Sequence, residues 1–252
     1  MFRATKEYWT YLCNAYEFRP DEVGTEFPYV QLQINDMSKL SKRHFWEWFK
    51  RNNKEYLDLH SKSKKEATYW LCELNAHLRA YYKFFEYSVS LPDNGKGIPK
   101  LTITVNGRVM HFKKVDVFVA SAPEIPGWQI GALEDPMPID FLLEKQIESL
   151  NIHPTEFFFS FASDDPDDTS LIVYHPLCSP RNEGLYLQLA YPAIYNLLGE
   201  RAYGSDIDRL EMANLSAADK DNVHPIEDLP IHISLRKPAM VVGPNGTLQG
   251  MD

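Results

Sequence analysis

The stretch Leu101–Glu134, LTITVNGRVMHFKKVDVFVASAPEIPGWQIGALE, constrains the fold more than any other, because strand, turn, helix and strand signals follow one another in it without a break. Leu101, Ile103 and Val105 alternate with Thr102 and Thr104, the period of a β-branched strand. Asn106-Gly107 supplies a turn, and Phe112, Val115, Val119 and Ala122 then recur at helical spacing. Pro123, Pro126 and Gly127 end that helix before Trp128, Ile130 and Ala132 alternate again. The order predicts a βαβ unit at the centre of a sheet. A second reading competes with it. Asn-Gly is also a strong hairpin turn, and Val115, Val117 and Val119 could continue as a strand, so residues 108–121 read as helix or strand, with Phe112 and Phe118 fitting the helix.

The rest of the chain supplies the partners such a unit needs. Tyr8, Leu12 and Tyr16 share a helical face and predict a short helix over residues 5–17. Val30, Leu32 and Ile34 alternate with Gln31 and Gln33 as a strand. A helix through HFWEWFK places Phe45, Trp46, Trp48 and Phe49 around most of its circumference, so it needs cover on several sides, either as core or as a contact surface. Ala67, Leu71, Leu74, Leu78, Tyr81 and Phe85 predict a helix over residues 64–85, roughly 33 Å long. His77, amid polar neighbours, reads as a surface histidine on it. Tyr87, Val89 and Leu91 alternate ahead of Asn94-Gly95, so residues 86–91 should pair antiparallel with residues 100–105.

Further on, IDFLLEKQIESL at 139–150 reads as another helix or a long turn. Glu156–Phe161 and Leu171–Tyr174 flank the polar turn SDDPDDTS as a hairpin. Leu187, Tyr191, Ile194 and Leu198 give a helix ending at Gly199, with Pro192 expected to kink or divide it. Residues 205–214 and 231–235 read as strands, and residues 237–252 as a mobile tail. The fold class is therefore α+β, a mixed, mainly antiparallel sheet packed by helices, in one domain over residues 1–236. No repeat or linker divides it.

At this point LTITVNG, ASAPEIPGWQIGALEDP and YNLLGE together resemble the motif set of a family of uncharacterised bacterial proteins, in which strand, helix, "AP-x-x-P-G-W" and strand occur in that order. The resemblance covers roughly Tyr29–Leu215. It implies an α+β fold and carries no activity or catalytic residue.

Composition bounds the function. Twenty-six basic against 35 acidic residues give a net charge of −9, which disfavours nucleic-acid phosphates and anionic lipid as partners. Cys13, Cys72 and Cys178 are scattered, as expected of reduced thiols in the cytoplasm, and no apolar run of about 18 residues suggests a membrane span. There is no nucleophile elbow, HExxH, Walker or dinucleotide signature, and the glycines of PDNGKGIPK lack a following helix. No cofactor is implied. Asp164, Asp165, Asp167 and Asp168 crowd one turn but lack the glycine and distal glutamate of a calcium loop, and read as aspartates capping their own backbone. His153 and His175 flank that hairpin. With the turn centred between Pro166 and Asp167, His175 faces Phe158 and leaves His153 about 17 Å along the strand; a shifted turn would oppose them.

Two functions follow. One is a non-catalytic protein-interaction module, with the acidic surface and the Phe45–Phe49 helix as contact areas, of which an immunity-type protein binding a basic toxin is an instance. The other is a hydrolase or metal-dependent enzyme using His153, His175 and the Asp164–Asp168 turn.

Overall fold

The computed structural model describes residues 41–92, 97–139 and 152–236, and the backbone of four further strands at 2–4, 8–12, 240–242 and 248–250. The fold is α+β. Where one domain over 1–236 was expected, the chain divides into two compact units, Met1–Glu134 and Asp135–Asp252, each with its own sheet and core. The reason lies in the cores. Apolar residues up to Leu133 pack with one another, and those from Ile139 onward pack with a second set.

The first unit holds β1 (Phe2–Ala4), β2 (Tyr8–Leu12), β3 (Glu86–Pro92), β4 (Lys100–Thr104) and β5 (Gln129–Ala132), side by side in that order. All neighbours run antiparallel except β4 and β5, which are parallel. Helix α3 (Phe112–Val119) makes the crossover between those two, so the expected βαβ unit is present, at the edge of the sheet and not at its centre. Asn106 and Gly107 take positive φ angles of 53° and 75°, yet the turn feeds a helix and not a hairpin. Burial explains the choice. Phe112, Val115 and Phe118 are buried at successive three-residue steps, whereas a strand would have turned exposed Val117 to the same side as Val115. The predicted pairing of residues 86–91 with 100–105 is also present, with Tyr87 opposite Ile103 and Val89 opposite Leu101.

Helix α2 (Lys64–Tyr81) starts at Ser63, whose Oγ accepts the Glu66 N–H at 3.2 Å, and it stops four residues short of the expected end. Tyr82 is already extended, which lets Phe85 enter the core just ahead of β3. Helix α1 (Lys42–Asn52) buries Phe45, Trp46 and Phe49, so the aromatic helix is core and not a contact surface. Phe118 is the meeting point. Its ring lies 4.7–5.2 Å from those of Phe45, Trp46, Tyr81 and Phe85, and its carbonyl accepts the Trp46 indole N–H at 3.2 Å.

One expectation here is overturned. Residues 8–12 form a strand and not part of a helix over 5–17: YWTYL is aromatic and β-branched, and pairing with β3 satisfies its backbone. The strand expected over 29–34 and all but the first residue of the helix at 139–150 lie outside the described residues.

The second unit has β6 (Phe158–Phe161), β7 (Leu171–His175), β8 (Leu210–Asn214) and β9 (His224–Pro225) in the order β8-β7-β6-β9. The 158–175 hairpin forms as expected, one residue out of the predicted register, with Phe158 opposite Tyr174. Helix α4 (Glu183–Asp206) then crosses over to β8, which is parallel to β7. An antiparallel hairpin followed by a helical crossover to a parallel strand thus occurs in both units, without a repeat legible in the residues. The helical path in α4 breaks at Gly199, where φ 72° and ψ 163° are open only to glycine, and not at Pro192. It resumes to Asp206, so the strand expected from residue 205 begins at Leu210. Residues 231–235 lie in helix α5 (Leu229–Arg236) and not in a strand. Leu229 and Ile233 are buried one turn apart, and Ile231 and Leu235 face solvent. Of the tail at 237–252, two antiparallel strands, β10 (Met240–Val242) and β11 (Leu248–Gly250), are described.

Because Phe118 touches rings from α1, from α2 and from the segment leading into β3, Phe118→Ala should cost about 3–5 kcal/mol. A urea unfolding curve followed by tryptophan fluorescence measures it, and a loss below about 1 kcal/mol would show that the cluster is not central.

Candidate functional site

The hairpin of the second unit brings together only part of the set that the residues suggested. His175 ends β7 and is fully buried, its ring against Tyr186 and Phe157 at 4.5 and 5.0 Å. Its Nδ1 accepts the backbone N–H of Leu177 at 3.1 Å, so in the neutral ring the proton sits on Nε2, 3.4 Å from Glu156 Oε2. Burial lowers the His175 pKa, and Glu156 opposes that shift. The same carboxylate accepts the backbone N–H of His153 at 3.2 Å, while the exposed His153 ring turns to the Thr155 hydroxyl at 2.6 Å. What meets at Glu156 is therefore the backbone of one histidine and the side chain of the other. Cys178, three residues beyond His175, is buried, and burial pushes its thiol pKa up, the opposite of an activated nucleophile.

The aspartate turn is organised from beneath. Arg236, the last residue of α5, lays its guanidinium over Phe161 at 3.8 Å and donates to the carbonyls of Ser163, Asp165 and Asp168. The carboxylates do local work as expected: Asp165 accepts the Asp167 N–H at 3.0 Å, and Asp168 accepts the Ser170 N–H at 2.9 Å, which with the Ser170 side chain lowers the Asp168 pKa. Asp208 reaches over from the approach to β8 and accepts from the backbone and hydroxyl of Thr169. Asp164, Asp165 and Asp167 are left exposed. Among the described residues no group of three or more His, Cys, Asp or Glu side chains is placed to hold a metal ion.

Two features escaped the sequence reading. His77 is half-buried and not on the open surface: it stacks on Trp48 at 4.1 Å and lies 3.9 Å from Glu73. Burial, with the Arg51 charge, lowers its pKa to about 4, so the ring is neutral above that value, and burial raises the pKa of Glu73. A residue on a helix takes its cover from another helix, here α1, and that cover is invisible in local sequence. The second feature is a gathering of cations and rings in the first unit. Lys114 Nζ sits 4.0 Å from the Tyr82 ring centroid, Lys83 Nζ and Arg108 Cζ sit 4.8 and 5.9 Å from that of Phe84, and His111 stacks on Phe84 at 4.6 Å.

The division of the chain also divides its charge. Asp135–Asp252 carries 19 acidic and 7 basic residues, a net of −12, while Met1–Glu134 carries 16 acidic and 19 basic, a net of +3. The net negative charge belongs to the second unit. No protein-family model, curated protein or solved structure matches the chain.

The lowered His77 pKa makes stability pH-dependent with a definite sign. The unfolded histidine takes up its proton near pH 6.5 and the folded one near 4, so the stability it contributes is full above 6.5 and falls as pH drops between those values, by roughly 3 kcal/mol in all. Urea midpoints measured from pH 7 to 4 should fall, and His77→Phe should flatten that dependence. Arg236→Met should leave three carbonyls of the turn without their donor and speed amide exchange over residues 163–170, by about tenfold or more.

Proposed function

We propose that the protein is a non-catalytic interaction module whose second unit binds a basic protein, in the manner of an immunity protein that occupies a basic toxin, and that it does so in the cytoplasm. The observation that carries this reading is the concentration of charge: a net of −12 on one compact unit, with the exposed aspartates of the 164–167 turn held outward over Arg236. Such a field steers a cationic partner and raises its association rate, and like-charged partners are repelled. The same field opposes nucleic acid and anionic lipid at that unit. No described helix is long and apolar enough to cross a membrane.

The enzymatic alternative has in its favour the His175–Glu156 contact. That contact is a buried neutral ring tied to a 3-10 turn, with the neighbouring thiol kept protonated, and it supports an anchoring role better than a catalytic one.

Retention of a basic partner from native lysate, or from co-expression with neighbouring gene products, tests the proposal. The triple variant Asp164→Lys, Asp165→Lys, Asp167→Lys should lower the association rate by about tenfold or more at low salt. Retention of no basic partner, or an association rate indifferent to the three reversals, would sink it.

A further inference from the structure

We infer that the first unit carries a second binding surface of opposite sign, built around the Tyr82–Phe84 turn and the exposed face of α3, and that its ligand is an acidic protein segment bearing an apolar side chain. Five exposed cations meet there: Arg79, Lys83, Arg108, Lys113 and Lys114. They come from the end of α2, the turn after it, the approach to α3 and α3 itself, so the fold and not the sequence order collects them. Arg79 Nε donates to the Lys83 carbonyl at 3.2 Å, and the Tyr82 hydroxyl bonds His111 Nδ1 at 2.9 Å, which ties the α2 end to the start of α3.

Rings hold three of these cations. Lys114 lies over Tyr82, and Lys83 and Arg108 lie over Phe84; among the described residues none of the five forms an ion pair. An aromatic face orients an ammonium or guanidinium without cancelling its charge, so the patch keeps its positive field and its preferred geometry. Two other cations of the same unit are paired with acids, Arg43 with Glu47 and Lys62 with Glu55, Asp58 and Glu66. Asp116, the one acid in α3, is half-buried. Beside the cations stand exposed apolar side chains: Met110 is 84% exposed, and Val109 and Val117 are about half exposed at 48% and 49%.

The chemistry selects the class of ligand. Carboxylates answer the five cations, and an aliphatic side chain answers Met110 and Val117. A single-stranded nucleic acid would stack its bases on the rings, but Phe84 already carries His111 in parallel at 4.6 Å and Lys83 at 4.8 Å. A membrane surface would meet a chain of net charge −9 with three small apolar side chains to insert. An acidic segment is the occupant that uses both halves of the patch.

The test uses the full chain and a short fluorescein-labelled peptide of Asp and Glu residues around a central Leu, read by fluorescence anisotropy. Binding at about 0.05 M salt should weaken by roughly tenfold or more at about 0.5 M. Lys83→Glu, Arg108→Glu and Lys114→Glu together should abolish it. Met110→Asp, which leaves every cation in place, should weaken it by about tenfold, whereas Lys220→Glu on the second unit should leave it unchanged. Circular dichroism checks that each variant is folded. No binding of the peptide, equal binding by the triple variant, or capture of labelled DNA or phosphatidylserine vesicles in place of the peptide each overturns the inference. The probe is acidic and the variants lie in the first unit, so the result is independent of whether the second unit binds a basic protein.

Discussion

The packing of aromatic rings around Phe118 is the interaction on which the first unit depends. Its neighbours come from three parts of the chain: Phe45 and Trp46 from α1, Tyr81 from the end of α2, and Phe85 from the segment that enters β3. Large rings in edge and tilted contact bury much surface while fixing relative orientation. Once they are seated, α2 must end at Tyr81 so that Phe85 can turn inward, and α3 must be a helix so that Phe112, Val115 and Phe118 face the same side. The positions of Tyr82, Phe84 and His111 follow, and with them the place where Lys83, Arg108 and Lys114 gather. The charged patch is thus an outward consequence of the core beneath it.

The second unit is organised differently. Its fixed points are polar anchors at the ends of strands: Arg236 on three carbonyls of the β6–β7 turn, Asp208 on Thr169, Asn214 on the carbonyls of Pro176 and Cys178, and Glu156 between His153 and His175. These contacts use the histidines and aspartates that looked like chemistry in the sequence. The His175 ring holds the Leu177 N–H, and the carboxylates of Asp165 and Asp168 hold the N–H groups of Asp167 and Ser170. The carboxylates of Asp164, Asp165 and Asp167 stay exposed, on a unit whose net charge is −12.

Several elements were legible because their signals are local. The alternation of Tyr87, Val89 and Leu91 against Leu101 and Ile103 predicts the hairpin, and the three- and four-residue recurrence from Ala67 to Tyr81 predicts α2. The stretch where helix and strand competed, residues 108–121, was decided by burial of Phe118 and exposure of Val117. Residues 8–12 and 231–235 were misread for the same reason in opposite directions. Tyr8 and Leu12 fit a helical spacing but found a strand to pair with, and Ile231, Ile233 and Leu235 alternate but lie on a helix that buries only Ile233 of the three. Of the candidate site, the capping role of the aspartates could be read from Asx-turn chemistry, whereas the Arg236 anchor, 68 residues from Asp168 in the chain, could not.

The sequence by itself determined the α+β class, both hairpins and the net charge of −9, since each is written in residues close together or in composition alone, while the helix that completes the βαβ unit from β4 to β5 was settled by burial. Only the tertiary structure decided that there are two units, that the negative charge belongs to one of them, that His77 is covered by Trp48, and that cations from residues 79 to 114 share one surface. The physical reason is the size of the competing terms. Local propensities differ by less than about 1 kcal/mol per residue, while a buried aromatic contributes several times that, and which residues are buried together depends on contacts tens of residues apart.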